Sequence, residues 1–262
     1  MCRIDAQTMW TEGVRGLEKG GSVGLMWPSL TIVMAAFNED EALPDCSART
    51  LSFLREHVRD GELIIVNDGS SDGTPEFIDD LAAREPQVVA LHLETNSGMG
   101  AALLAGYAAA EKDWVTMLPA DGQLDAYELE TFFKAAAEAD LVTSLYHNRE
   151  YSLYRKSLSL GLRALTTAIV GTRARTEGTY LVRRSVLQGL GANSQSFLLN
   201  LEIPIRARRA GYRVATVYMG VHERIAGESK ATSSRRIIQT FKELFQLRMK
   251  MERERFVNRQ KP

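Results

Sequence analysis

Three times before residue 125 the chain passes from a short apolar run through a polar turn into a helical stretch, an alternation that leaves few folds open. Residues 30–37 form the first run, followed by Asn38, Glu39, Asp40 and Glu41 and a helical stretch to about residue 58. Residues 62–66 lead into Asn67-Asp68-Gly69-Ser70-Ser71-Asp72-Gly73-Thr74 and a helix near 75–84. Residues 88–93 lead into Asn96-Ser97-Gly98-Met99-Gly100 and an alanine-rich helix from 101 to about 112. A fourth run, 114–118, ends in Pro119-Ala120-Asp121-Gly122-Gln123-Leu124-Asp125. Short buried strands alternating with helices predict βαβ units, and so an α/β fold with a mostly parallel central sheet flanked by helices.

In an open sheet of this kind, ligands bind outside the C-terminal strand ends. Asn38, Glu39, Asn67, Asp68, Gly98, Gly100 and Asp121 should therefore face one crevice. Asp121 and Gln123 offer the oxygen ligands a hard divalent cation prefers, with room left for phosphate oxygens and water. A plain β-turn is the other reading of the Asp121-Gly122 pair, and Asp68 is also a good turn former. As a ligand, the Asp68 carboxylate would accept from a nucleobase N–H or ribose hydroxyls, and Glu39 can do the same. Gly98 and Gly100 would let backbone N–H groups near a helix N-terminus approach an anionic phosphate. The chain has neither a P-loop nor a dinucleotide-binding glycine fingerprint.

Four motifs, in this order and spacing, resemble family 2 glycosyltransferases of the GT-A, nucleotide-diphospho-sugar transferase-like fold. They are Ala35-Ala36-Phe37-Asn38-Glu39, Val66 to Thr74, Asn96 to Ala102, and Ala120-Asp121-Gly122-Gln123. The dolichol-phosphate mannose synthase-like branch is the most similar, and the resemblance spans about residues 30–230. It implies that Ala35, Phe37, Glu39 and Asp68 hold the nucleoside of a sugar nucleotide. Asn38, Asn67, Gly98, Met99, Gly100, Ala120 and Gly122 would complete that site, and Asp121 and Gln123 would hold Mg²⁺ or Mn²⁺ on the diphosphate.

Arg224-Ile225-Ala226-Gly227-Glu228-Ser229-Lys230 resembles an Arg-x-x-Gly-x-Ser-Lys element of that branch, which helps hold acceptor phosphate groups. Arg forks onto phosphate oxygens and Lys adds a compact charge, so Arg224, Ser229 and Lys230 are the expected clamp. Arg149 and Arg155 match arginines near the acceptor phosphate in relatives, although Arg155-Lys156 also reads as a solvated helix face. Glu202 matches a common acidic position, open to a role as base or to a helix-capping or salt-bridge role.

The chain departs from the branch at two places. Many relatives carry Asp-x-Asp where Pro119-Ala120-Asp121 stands here, so the metal would rely on one carboxylate, Gln123 and the nucleotide. Where relatives often read Asp-x-Thr-Ser-Gly-Phe-Arg, this chain has Ala174 to Tyr180, so mannose as the sugar does not carry over.

With 262 residues, 45% hydrophobic and 25% charged, the chain can bury a large core in one catalytic domain, expected over 28–232. Its net charge of −1 gives no overall field for nucleic acid. The charge is uneven: from Arg235 to Pro262 there are nine Lys/Arg and three Asp/Glu, net +6. Residues 233–262 read as a basic amphipathic helix that either lies on an anionic membrane surface or packs its apolar side on the domain. No segment reaches the about 18 uncharged apolar residues of a membrane span. Residues 1–27 read as a weakly ordered arm without signal-peptide features. Two cysteines, Cys2 and Cys46, make no disulfide framework, so the expected setting is cytoplasmic, with contact at the inner membrane face open.

The function expected is that of an inverting, metal-dependent hexosyltransferase moving a sugar from a UDP- or GDP-sugar to a polyprenyl phosphate. An acceptor phosphate is already anionic, so the transfer needs positioning and charge screening and no general base. Two alternatives stand beside it. One is transfer to a hydroxyl of a soluble acceptor with Glu202 or Asp125 as base, the other a nucleotide-sugar-binding protein without turnover.

Overall fold

The computed structural model describes residues 26–147, 167, 178–221 and 243–253. Three βαβ units open the fold: β1 (Trp27–Ala36), α1 (Leu43–His57), β2 (Val58–Asn67), α2 (Thr74–Arg84), β3 (Val88–His92), α3 (Met99–Ala109) and β4 (Trp114–Met117). A 3₁₀ turn (Ala126–Leu129) and α4 (Glu130–Ala135) lead to β5 (Leu141–Tyr146). After the undescribed stretch come β6 (Tyr180–Arg183), α5 (Arg184–Gly189), α6 (Leu199–Arg209) and β7 (Val214–Met219). Residues 243–253 form a further helix, α7.

The seven strands make one sheet in the order β3-β2-β1-β4-β6-β5-β7. β1 pairs in parallel with β2 and β4, β2 with β3, and β5 with β7; β6 runs antiparallel between β4 and β5. The mostly parallel sheet read from the strand–turn–helix alternation is the one observed. The chain moves outward through β1, β2 and β3, then returns to place β4 on the other side of β1. That reversal makes a switch point, where two adjacent loops leave the sheet in opposite directions and open a crevice.

Burial on both faces explains why these strands read as apolar runs. Leu30, Ile32, Met34 and Ala36 of β1 point into one core with Leu43, Phe53, Leu54 and Phe132. Val33, from the alternate face, joins Ala102, Leu103, Tyr107, Tyr180 and Ile203 in a second core. The exception in β1 is Thr31, whose hydroxyl donates to buried Glu62 at 2.6 Å.

Two boundaries differ from the sequence expectation because neighbouring strands supply what local propensity does not. β2 begins at Val58, four residues early, since its backbone pairs from Trp27↔Val58 onward. β1 begins at Trp27, whose ring stacks on Phe133 at 4.2 Å and meets Trp114 edge-on at 5.5 Å. The basic tail has a packed side: Leu244, Leu247 and Met251 of α7 are buried against Leu198, Leu201 and Ile205.

Candidate functional site

The loops after β1 and β2 are fastened to each other by short polar side chains. Asn38 N–H donates to Ser70 Oγ at 3.0 Å, Glu39 N–H to Thr74 Oγ1 at 3.0 Å and Asp40 N–H to Asp72 Oδ2 at 3.3 Å. In return, Asn38 Oδ1 accepts Ser71 N–H at 2.9 Å. Asn38 sits at φ +54°, a left-handed conformation Asn tolerates better than most residues. Asn67 Oδ1 accepts Ser70 N–H at 2.8 Å, and Asn67 Nδ2 lies 3.2 Å from His92 Nδ1. Asn38 and Asn67, read as site residues, thus shape the rim. Phe37 stands exposed above it and Ala35 is half-buried at the end of β1.

Asp68 is buried at the end of β2, and its two oxygens accept the N–H groups of Ser97 at 2.7 Å and Gly98 at 2.9 Å. The anion at the start of α3 is therefore a protein carboxylate, which modifies the expectation that this turn receives a phosphate. A carboxylate has about four lone-pair sites, so Asp68 retains acceptor capacity toward a nucleoside.

The glycines beside it answer a second demand. Gly98 has φ +93°, and a Cβ on it would lie 3.0 Å from Gln195 O. A Cβ on Gly100 would lie 2.5 Å from backbone atoms of Ser194, Gln195 and Ser196, while Ala101 N–H donates to Gln195 O at 3.2 Å. The 193–196 loop is a part of this region that sequence reasoning missed, because nothing local marks a contact so distant along the chain.

Glu202 of α6 anchors that loop. It is 0% exposed; Oε2 accepts Asn193 N–H at 3.2 Å and Ser194 N–H at 2.9 Å, and Oε1 accepts Arg206 Nε at 2.6 Å. Arg206 also donates to Leu190 O at 3.2 Å. A fully buried carboxylate with both oxygens engaged in this way matches the salt-bridge alternative for Glu202. Asp125 is engaged as well: Oδ1 accepts Tyr127 N–H at 3.1 Å and caps the 3₁₀ turn, and Oδ2 pairs with Arg49.

Across the switch point from Glu39, Asp121 is 7% exposed, and its Oδ1 accepts Gln123 N–H at 3.1 Å. Ala120 is buried below it, and Gly122 lines a cleft of about 360 Å³ with Met34, Asp45, Cys46, Arg49 and Pro119. Burial, and then the charges of Asp45, Asp121 and Glu39, push the Cys46 thiol up to about 11. Among the described residues no three His, Cys, Asp or Glu side chains form a metal cluster. One carboxylate with a glutamine two residues on suits a cation that arrives with diphosphate oxygens and not one held by protein alone. Arg149, Arg155, Arg224, Ser229 and Lys230 lie outside the described residues.

The sequence model of glycosyl transferase family 2 matches residues 31–191. The chain belongs to that family. It is 31% identical over 205 residues to the undecaprenyl-phosphate 4-deoxy-4-formamido-L-arabinose transferase of Proteus mirabilis, covering 77% of this chain and 62% of that protein. It is 30% identical over 204 residues to the dolichyl-phosphate beta-glucosyltransferase ALG5A of Trichomonas vaginalis, covering 71% and 63%. The chain thus spans somewhat less than two thirds of these relatives' length.

Among solved structures, the mannosyltransferase PcManGT of Pyrobaculum calidifontis, in complex with GDP-Man and Mn²⁺, aligns with TM-score 0.56 and 18% identity over 84% of this chain and 65% of that one. Glucosyl-3-phosphoglycerate synthase of Mycobacterium tuberculosis, with Mn²⁺, UDP-glucose and phosphoglyceric acid, aligns with TM-score 0.57 and 21% identity over 83% and 79%. This family 2 chain has the GT-A fold that the motifs implied.

Proposed function

We propose that this family 2 chain is an inverting glycosyltransferase that moves a sugar from a nucleotide-diphosphate donor to a polyprenyl-phosphate acceptor. The acceptor class is supported by the relatives, whose names state undecaprenyl-phosphate and dolichyl-phosphate transfer. The observation that carries it within this chain is that Glu202 and Asp125, the two carboxylates read as bases for a hydroxyl acceptor, are both committed to structural hydrogen bonds. A phosphate monoester needs no proton removed before it attacks the anomeric carbon, whereas a hydroxyl does.

In this reading Glu39 and Asp68 bind the nucleoside, and the loops fastened by Ser70 and Thr74 hold the rim in shape. Asp121 and Gln123 would hold Mg²⁺ or Mn²⁺, which would supply charge neutralisation at the donor diphosphate. Arg224, Ser229 and Lys230, with Arg149 and Arg155, receive the acceptor phosphate. A lipid acceptor implies placement at a membrane surface, and among the described residues no helix is long and apolar enough to cross one.

The deciding experiment incubates the protein with UDP- and GDP-sugars, Mg²⁺ or Mn²⁺, and undecaprenyl or dolichyl phosphate, and weighs the lipid by mass spectrometry. A lipid heavier by one glycosyl residue is expected. Transfer only to a soluble hydroxyl acceptor, or donor binding with no transfer to either acceptor class, would overturn the proposal.

A further inference from the structure

Helix α7 has two apolar sides, one buried on α6 and the other exposed. Leu244, Leu247 and Met251 are buried on α6, and Ser196 Oγ donates to Glu243 Oε2 at 2.5 Å, which fastens the helix to the 193–196 loop. Phe245 and Met249, one turn apart on another side of α7, are 58% and 49% exposed. Phe197, the residue after Ser196, is 63% exposed. The Phe245/Met249 pair makes an exposed apolar strip on α7, the kind of feature that marks an interaction surface.

The charge around this place selects the partner. Arg248 stands three residues after Phe245, Arg253 four after Met249, and Lys250 lines a cleft of about 570 Å³ with Ser97, Gly98 and Gln246. Within α7, Arg248, Lys250 and Arg253 stand against Glu243, which is bonded to Ser196, and Glu252, which lies 3.6 Å from Arg209, and by sequence the longer segment from Arg235 to Pro262 carries net +6 in a chain of net −1. A neutral protein surface would match the apolar stripe without any use for that charge. An anionic bilayer uses both, the apolar side chains entering the acyl boundary and the cations meeting headgroups.

We propose that Phe197, Phe245 and Met249 dock this chain on an anionic phospholipid surface, with α7 seated between the catalytic domain and the bilayer. The inference deepens the prenyl-phosphate reading, on which it partly rests, because α7 also lines the cleft at the Ser97–Gly98 turn through Gln246, Leu247 and Lys250, so that a docked α7 would hold the site close to the lipid phosphates.

The test is co-sedimentation of the full chain with vesicles of phosphatidylcholine plus phosphatidylglycerol, against phosphatidylcholine alone, at low and high salt and without any acceptor. Binding to the anionic vesicles, weakened by high salt, is expected. The Phe245→Ser/Met249→Ser variant should bind them about tenfold or more weakly, the scale of losing two inserted apolar side chains. Circular dichroism and melting should match wild type. Should that variant fail to fold, Phe245→Trp serves instead: anionic vesicles should shift its added emission to the blue, and brominated lipid should quench it.

Equal sedimentation of wild type and double variant, or an unshifted indole, overturns the inference. So does self-association that the double variant abolishes while wild type ignores vesicles, a result that would assign the stripe to a second copy. Transfer to a short, water-soluble prenyl phosphate should be equal in wild type and variant. Wild type that binds vesicles but transfers to no prenyl phosphate would sink the acceptor reading and leave the docking standing.

Discussion

The Asp68 carboxylate accepts the Gly98 N–H at 2.9 Å, joining the end of β2 to the turn that starts α3. Its other oxygen accepts Ser97 N–H at 2.7 Å, so one buried side chain holds the turn at two successive amides. Gly98 and Gly100 then press that turn against Ser194–Ser196, and Glu202 holds the far side of the 193–196 loop. The proposed nucleoside site therefore takes its shape from a β2 residue, an α3 turn and an α6 residue.

Replacing Asp68 tests this coupling. Asp68→Asn sets an amide against two N–H donors and keeps at most one bond, and Asp68→Ala keeps none. Hydrogen bonds to charged groups contribute about 1.5–3 kcal/mol, so donor dissociation constants should rise about tenfold or more, and further for Ala than for Asn. Titration calorimetry with UDP and GDP measures it; unchanged binding of both would remove Asp68 from the site.

Gly100→Ala adds one methyl where backbone atoms stand 2.5 Å away. The 194–196 backbone must move, and overpacking of this kind costs about 1–3 kcal/mol. We expect a lower melting temperature together with weaker donor binding, because Ala101 N–H would lose its place on Gln195 O. A variant as stable as wild type would show that the 193–196 loop yields without consequence.

The strand-end crevice was legible in the sequence because polar turns rich in Gly, Asn and Asp punctuate apolar runs with a regular βα alternation. Parallel pairing then brings Glu39, Asp68 and Asp121 to one edge whatever their side chains do. The partner of Gly98 and Gly100 was not legible, since a close approach between distant loops leaves no local pattern. Glu202 carried a faint signal, its i, i+4 spacing to Arg206, which pairs them on α6. The signal identifies an ion pair but not that Glu202 also holds Asn193 and Ser194. For α7 the amphipathic pattern posed membrane and packing as alternatives, whereas two distinct apolar sides on one helix leave room for both.

Asp121→Ala should abolish transfer and leave the melting temperature close to wild type, because it removes the carboxylate read as the metal ligand at the β4 end. Gln123→Ala should retain some activity and demand more Mg²⁺ or Mn²⁺, since a neutral amide contributes less to a divalent ion than a carboxylate. Turnover assays across a metal titration separate the two, and near-normal turnover by Asp121→Ala would sink the proposed metal position.

Glu202→Gln distinguishes positioning from proton transfer. Removing one partner of a buried ion pair costs about 3–5 kcal/mol, so the variant should melt earlier and bind donor less tightly. Its kcat per folded molecule, at saturating donor and acceptor, should stay near wild type. A variant of normal stability with kcat lowered by about 10²-fold or more would restore Glu202 as a base.

Asp140 predicts how stability responds to acid. Burial pushes its carboxyl up, but hydrogen bonds from the Arg213 side chain and backbone, with the charges of Arg213 and Arg183, outweigh it and hold the group below its usual 3.8. Arg213 N–H donates to Oδ2 at 3.0 Å and a guanidinium N–H to Oδ1 at 3.2 Å, which ties the start of β5 to the start of β7. A carboxylate with a depressed folded pKa contributes stability above its unfolded value of about 3.9, and that contribution is lost as pH falls through the folded value. Asp140→Asn should therefore be somewhat less stable than wild type at pH 7, since Arg213 is largely exposed and solvent screens the pair. The gap should narrow as pH falls below about 4. Asp72, also held low as hydrogen bonds from Thr74 and Asp40 outweigh its burial, is present in both proteins and cancels in the difference. Urea denaturation midpoints at pH 7 and pH 3 measure the gap, and one that stays constant between them would show that Asp140 draws its stabilisation from packing and not from its charge.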